Sequence, residues 1–320
     1  TEEEIEEIRE QTLTQWLEID STTGDEAEFL EVLEDHFAAK GLTCRRQPVA
    51  PPSRWNLVAA GREDPSVLFS THVDTVPPHL DVRRDSETLY GRGACDTKGG
   101  LWAMSRAADR LLDDGIRDIG FLLVVGEEVD HRGAKEARSL DLSPERIILC
   151  EPTQNRVVSG QKGMIKIALE ATGRAAHSAF PDEGVSAIHR LLETLERIRA
   201  TDWPDDPLLG ETSVNVGLID GGVAANVLAP EARAEVLFRI VSAAAPLLER
   251  LADLCGAGVE LDPITYNDPV EFDPPDDVDT CVVPFNTDAP YLADLGPVWL
   301  VGPGDIRVAH SDDEHITREA

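Results

Sequence analysis

Four short apolar runs in the first half of the chain constrain its fold most: Asn56 to Ala60, Val67 to Ser70, Ile119 to Val125 and Arg146 to Cys150. They are too short for buried helices and too evenly apolar for strands with one wet face. Runs of this kind mark strands covered on both sides, as in sheets whose parallel strands are joined by helical crossovers. The covering layers are also legible. Ile, Leu, Phe and Val recur at helical spacing over Glu3 to Glu18 and Asp25 to Lys40, with Gly24 at the start of the second segment. Gly99 to Leu112 reads as a helix opened by a glycine pair. This βαβ rhythm predicts an α/β fold with a central, largely parallel sheet.

Near residue 163 the rhythm changes. Met164 to Thr172 alternates as a strand, and Gly184 to Arg199 is an amphipathic helix. Thr212 to Ile219 and Ala232 to Val241 are strands, Ala244 to Leu254 a helix, and Val259 to Tyr266 a last strand. The order βαββαβ is the split βαβ, or ferredoxin-like, unit, one sheet with two helices on a single face. Residues 163–268 are therefore expected to form a domain inserted into another made of residues 1–162 and 269–320. The hinges fall near Lys162-Gly163 and Asn267-Pro269, and Val298 to Val301 resumes a strand of the first domain after a Pro/Asp-rich loop from Phe272 to Asp279. A chain of 320 residues is long enough for two domains.

Charge bears on habitat more than on chemistry. The sequence has 29 basic and 61 acidic residues, a net charge of -32. Such a surface repels nucleic acid and anionic membranes, so neither is an expected partner. The carboxylates are dispersed along the whole chain, the pattern of a halophilic protein kept soluble in very high salt, where screening weakens self-repulsion. No apolar run approaches the roughly 18 residues of a membrane span. The acidic N-terminus does not resemble a signal peptide. Cysteines 44, 95, 150, 255 and 281 are odd in number and form no CxxC pair, which suits reduced thiols in a cytoplasmic protein. Cys95 has no nucleophile-base pattern around it.

The apolar runs end in residue types that can bind metal. His72-Val73-Asp74 follows the second run. In an extended segment residues i and i+2 share a side, so the Asp74 carboxylate is expected to reach the His72 imidazole and fix its tautomer. Asp96 lies in the glycine-rich loop Gly91 to Gly100, where backbone can approach a ligand closely. That loop lacks the GK[ST] order of a phosphate-binding loop. Glu127-Glu128 directly follows the third run and Glu151 the fourth. Paired carboxylates at a buried strand end are costly unless a cation sits nearby. Ligands collect at the carboxyl ends of strands in open α/β sheets. With His310 near the C-terminus, these residues supply enough ligands for two divalent cations and leave one carboxylate to act as a base.

At the level of motifs, THVDTVP, GRGACDTKGG, VGEE, EPT, GRAAHS and GGVAANVLAP together resemble the di-zinc metallopeptidase and aminoacylase family. That family includes acetylornithine deacetylase, succinyl-diaminopimelate desuccinylase, carboxypeptidase G and carnosinase-type dipeptidases. The resemblance implies two Zn2+, replaceable by Co2+, with His72 and Glu151 on one, Glu128 and His310 on the other and Asp96 bridging them. It further implies Glu127 as general base, Asp74 as partner of His72, and a cis Asp96-Thr97 bond. The inserted domain would be a lid and dimerisation domain. Its His177 would reach the active site of the partner subunit in a homodimer, and Asn226 and Arg239 would hold the substrate. The implied activity is hydrolysis of the amide bond of a small N-acyl amino acid. The Glu151-Pro152-Thr153 and Gly163 region looks most like the acetylornithine branch, hence arginine biosynthesis. Succinyl-diaminopimelate or another acyl-amino acid or dipeptide, and a non-catalytic metal-binding relative, are the alternatives. In the family a helix follows the motif corresponding to Ala309 to Glu314; the sequence given stops at Ala320.

Overall fold

The computed structural model describes residues 11–50 and 53–320. Residues 11–18 are helical, and the earlier part of the first expected helix lies outside the described residues. The chain divides into two compact units. One runs up to Ser159 and takes in Phe272–Cys281 and Thr287–Ala320; the other comprises Gly160–Glu271 and Val282–Asn286.

The first unit is built on a six-stranded sheet in the order Thr43–Ala50, Arg54–Ala60, Ile119–Val124, Val67–His72, Arg146–Leu149, Val298–Leu300. The last four lie parallel. The first two join antiparallel at one edge, so the sheet is mixed and its parallel part carries the strands read from the apolar runs. Thr43–Ala50 escaped that reading because Arg45, Arg46, Gln47 and Pro48 give it no apolar run, as befits an edge strand. The helices Ala27–Ala39 and Lys98–Asp113 bury Phe29, Leu30, Leu33, Phe37, Leu101 and Met104 against Leu57, Phe69 and Phe121 of the sheet. Phe37 and Phe121 lie 4.3 Å apart, centroid to centroid. Losing such a ring leaves a cavity and costs about 3–5 kcal/mol. The second of the expected helices begins at Ala27, after Gly24 at φ 110°.

Register aligns the strand ends. His72 stands opposite Val124, and Ser70 opposite Leu149. The loops after three neighbouring strands, carrying His72, Gly126 to Glu128 and Glu151, therefore leave the sheet side by side.

The second unit is a four-stranded antiparallel sheet in the order Ser213–Gly221, Glu231–Ile240, Gly163–Thr172, Val259–Asn267. Ala232, Ala234, Val236, Phe238 and Ile240 alternate inward along one strand and pack with Leu191, Leu195 and Ile198 of the helix Ala187–Ala200 and Leu247 and Leu251 of Ala244–Leu254. The first of these helices starts later than Gly184. Pro181–Glu183 form a 3-10 turn, and the Ser186 hydroxyl caps the helix by accepting the His189 amide. The outer strand leaves Leu218 and Ile219 exposed. Among the described residues, no helix is long and apolar enough to cross a membrane.

Candidate metal centre

In the first unit the strand-end residues converge. His72 Nε2 lies 3.0 Å from Asp96 Oδ1 and 4.0 Å from Glu151 Oε1. His310 Nε2 lies 3.4 Å from the other Asp96 oxygen, Oδ2, and 3.1 Å from Glu128 Oε1. Asp96 thus turns one oxygen toward each histidine, as a carboxylate bridging two cations must. One ligand atom each from His72, Asp96 and Glu128 lies within 4.8 Å of the others. The Asp96-Thr97 bond is cis. Thr97 donates its hydroxyl to the His72 carbonyl at 3.0 Å, and Thr71 donates to the Cys150 carbonyl at 3.0 Å. These side chains tie the Asp96 loop to the strand end of His72, and that strand to the one that leads into Glu151.

Asp74 meets His72 through both its main chain and its carboxylate. His72 Nδ1 is 2.8 Å from the main-chain oxygen of Asp74 and 3.6 Å from its carboxylate. A carbonyl only accepts, so Nδ1 carries the hydrogen and Nε2 is left to face Asp96. The tautomer is set by backbone. The Asp74 carboxylate is engaged elsewhere: it accepts from the amides of Gly126 at 2.9 Å, Glu127 at 3.1 Å and Glu128 at 3.3 Å, and from the Thr23 hydroxyl at 2.8 Å. Side-chain alternation places Asp74 toward His72, but the left-handed turn at Gly126 (φ 78°) presents donors that bind it better.

Electrostatics fit a site built for cations. Burial pushes the Glu127 and Glu151 carboxyls well above the usual range; His72 pulls them back, while neighbouring carboxylates add to the rise. Glu128 is also raised, first by burial. Burial would lower His72, yet hydrogen bonds to Asp74 and Asp96 and the charge of Glu151 hold it well above its ordinary value. Hydrogen bonds to Asp96 and Glu128 raise His310 to about 10. Glu151 Oε1 is buried without a hydrogen-bond partner, an uncommon and costly state unless an ion satisfies it. Two imidazoles and three carboxylates, one facing both ways, fit a pair of divalent cations of zinc type.

Two residues outside the expected set shape the centre. Glu314, fully buried, accepts the amides of Gly93, Cys95 and Asp96 at 2.9, 3.2 and 3.1 Å through Oε1, and Arg92 Nη1 at 2.6 Å through Oε2. It thereby holds the loop of Asp96. His131 is buried with Nδ1 2.9 Å from Asp288 Oδ1 and 3.5 Å from Glu127 Oε1. The acidic residue four positions after His310 and the His four positions after Glu127 were visible in sequence, but nothing in their spacing revealed these partners.

Within the second unit, the exposed His177 bridges Val227, and the Ser178 amide donates to the Asn226 carbonyl at 3.0 Å, so His177 and Asn226 sit on adjoining segments. His177 Nδ1 accepts the Ala179 amide at 3.1 Å. Arg239 is half-buried on its strand, opposite Ser213 and Met164.

Comparison with known proteins agrees with this architecture. Residues 159–257 match the peptidase dimerisation domain of the M20 family. A peptidase M20 domain-containing protein of Schizosaccharomyces pombe is 37% identical over 313 residues, covering 94% of this chain and 78% of that protein. A probable carboxypeptidase of Aspergillus terreus is 35% identical, covering 94% and 80%. Among solved structures, a tripeptidase of Staphylococcus aureus superposes with a TM-score of 0.79 at 24% identity over 96% of this chain and 92% of that one. An M20 metallo-carboxypeptidase of Sulfolobus solfataricus gives 0.76 at 16% identity over 97% and 95%. Fold and relatives define a metal-dependent hydrolase. The chain belongs to the peptidase M20 family.

Proposed function

We propose that the protein hydrolyses the amide bond of a small substrate bearing a free carboxylate, using two zinc ions held by His72, Asp96, Glu128, Glu151 and His310, with cobalt able to substitute. The observation that carries this is Asp96 facing His72 and His310 with its two oxygens, with Glu127 buried alongside. Zinc bound there would supply Lewis acidity to the carbonyl and bring the pKa of water toward neutrality. Glu127 takes the proton of the attacking water and passes it to the leaving amine. Asp74 holds the Glu127 and Glu128 amides, and so sets where both side chains start. By the family resemblance, Arg239 grips the substrate carboxylate as a bidentate partner, Asn226 assists, and the partner subunit's His177 donates to the oxyanion in a homodimer assembled through residues 163–268.

The names of the sequence relatives favour removal of the C-terminal residue of a short peptide. The Glu151-Pro152-Thr153 motif favours a second substrate, an N-acyl amino acid of the acetylornithine type, which would put the enzyme in cytoplasmic arginine biosynthesis. A panel of dipeptides and tripeptides, acetylornithine, succinylornithine and succinyl-diaminopimelate with added zinc or cobalt separates the two; inactivity on all of them overturns the proposal. Glu127→Ala is expected to keep its metal and lose about 100- to 10,000-fold in turnover. Retained turnover would remove Glu127 from the role of base.

A further inference from the structure

The loop that carries Glu127 folds back on itself. The amides of Asp130 and His131 donate to the Gly126 carbonyl at 3.1 and 2.8 Å, and His131 adopts a left-handed conformation at φ 55°. The turn delivers the His131 imidazole into the same buried corner, where Glu127, His131 and Asp288 each place an atom within 4.8 Å of the others. Asp288 arrives from a distant part of the chain and is 1% exposed. Its carbonyl accepts the amides of Tyr291 and Leu292 at 3.0 and 3.1 Å, which fixes its backbone, and the Tyr291 ring lies 5.1 Å from the imidazole.

An ionised carboxylate only accepts, so the 2.9 Å contact puts the hydrogen on His131 Nδ1 and directs it to Asp288. The ring is then fixed in tautomer and orientation, with the same edge 3.5 Å from Glu127 Oε1. Without it two buried carboxylates would face each other with nothing between them, an arrangement that repulsion and desolvation both disfavour. We propose that His131, held by Asp288, is a positioning residue that keeps the Glu127 carboxylate aimed at the reacting water. This rests on Glu127 being the base, and it adds that the base has a dedicated support outside the expected ligand set.

The test compares three variants as zinc-loaded enzyme and as metal-free protein. His131→Ala is expected to lower kcat about 10- to 100-fold, the usual cost of removing an orienting partner, with KM and zinc content unchanged. His131→Asn should recover most of that loss, because its amide nitrogen stands where Nδ1 stood and asparagine accepts left-handed backbone readily. His131→Gln, whose amide sits one methylene further out, should not. Crystal structures of metal-free wild type and His131→Ala supply a readout independent of turnover: Glu127 should hold one side-chain conformer in the first and leave it in the second. Wild-type kcat in His131→Ala, equal loss in the Asn and Gln variants, or an unmoved Glu127 would each overturn the inference. So would loss of a metal equivalent in His131→Ala, which would make the histidine a ligand. If the wild-type enzyme hydrolyses nothing in the substrate panel, the function proposed above fails, while the Glu127 conformer still decides this point.

Discussion

Glu314 offers the sharpest test of how the centre is held, because one buried carboxylate serves four donors. Its Oε1 accepts three backbone amides of the Asp96 loop, and its Oε2 pairs with a guanidinium that is 2% exposed. Truncation to alanine strands the Arg92 charge. Breaking one side of a buried pair costs about 3–5 kcal/mol. Each amide left without an acceptor adds a fraction of its roughly 1–3 kcal/mol desolvation, since Arg92 also reaches the carbonyls of Pro78 and Ser311 and the loop can relax. About 4 kcal/mol is a fair sum, against a total stability of about 5–15 kcal/mol for a typical domain. Urea unfolding of the metal-free chain, followed by tryptophan fluorescence, should show the midpoint falling by about 1–2 M in Glu314→Ala. Glu314→Gln, which keeps the shape and one acceptor, should lie between. Zinc affinity should drop about 10- to 100-fold, because Asp96 loses its support. An unchanged midpoint together with unchanged zinc affinity would refute the claim that Glu314 organises the loop.

Three further outcomes concern solution conditions. The metal-free centre holds protons that cations must displace: Glu127, Glu128 and Glu151 are raised, as are His72 and His310, the last to about 10. Zinc affinity is therefore expected to rise with pH and binding to release protons, measurable by calorimetry in buffers of different ionisation enthalpy; a pH-independent affinity contradicts it. The same signs govern metal-free stability. A raised group stabilises the fold below its unfolded pKa and loses that contribution as pH climbs through the folded value, so His310 should make the melting temperature fall between about 6.5 and about 10. For the net charge of -32, melting temperature should climb steeply as potassium chloride rises, since the screening length shortens from about 10 Å at 0.1 M to about 3 Å at 1 M; a salt-insensitive melt would remove the halophilic reading.

The parallel strands were legible because each is buried on both faces and so leaves an unbroken apolar run, Ile119–Val124 most plainly. The converging residues at the strand ends were legible for a related reason: a carboxylate or imidazole directly after such a run has no solvent to explain it. Thr43–Ala50 was hidden because an edge strand needs no apolar signature. Alternation placed Asp74 on the side of His72, but says nothing of the amide donors that a left-handed glycine brings to that side. His131, Asp288 and Glu314 act through partners remote in sequence, and pairwise distance is information a linear reading lacks.

The contribution of His310 and Glu314 has a consequence for biosynthesis. As the ribosome delivers the chain from its N-terminus, the sheet segments that present His72, Asp96, Glu128 and Glu151 emerge first, and the whole second unit follows before the residues that close the centre exist. Until then Glu128 lacks its imidazole partner and the amides of Gly93, Cys95 and Asp96 lack their acceptor. The cluster is thereby completed only after the second unit has been made, when His310 and Glu314 reach Glu128 and the Asp96 loop.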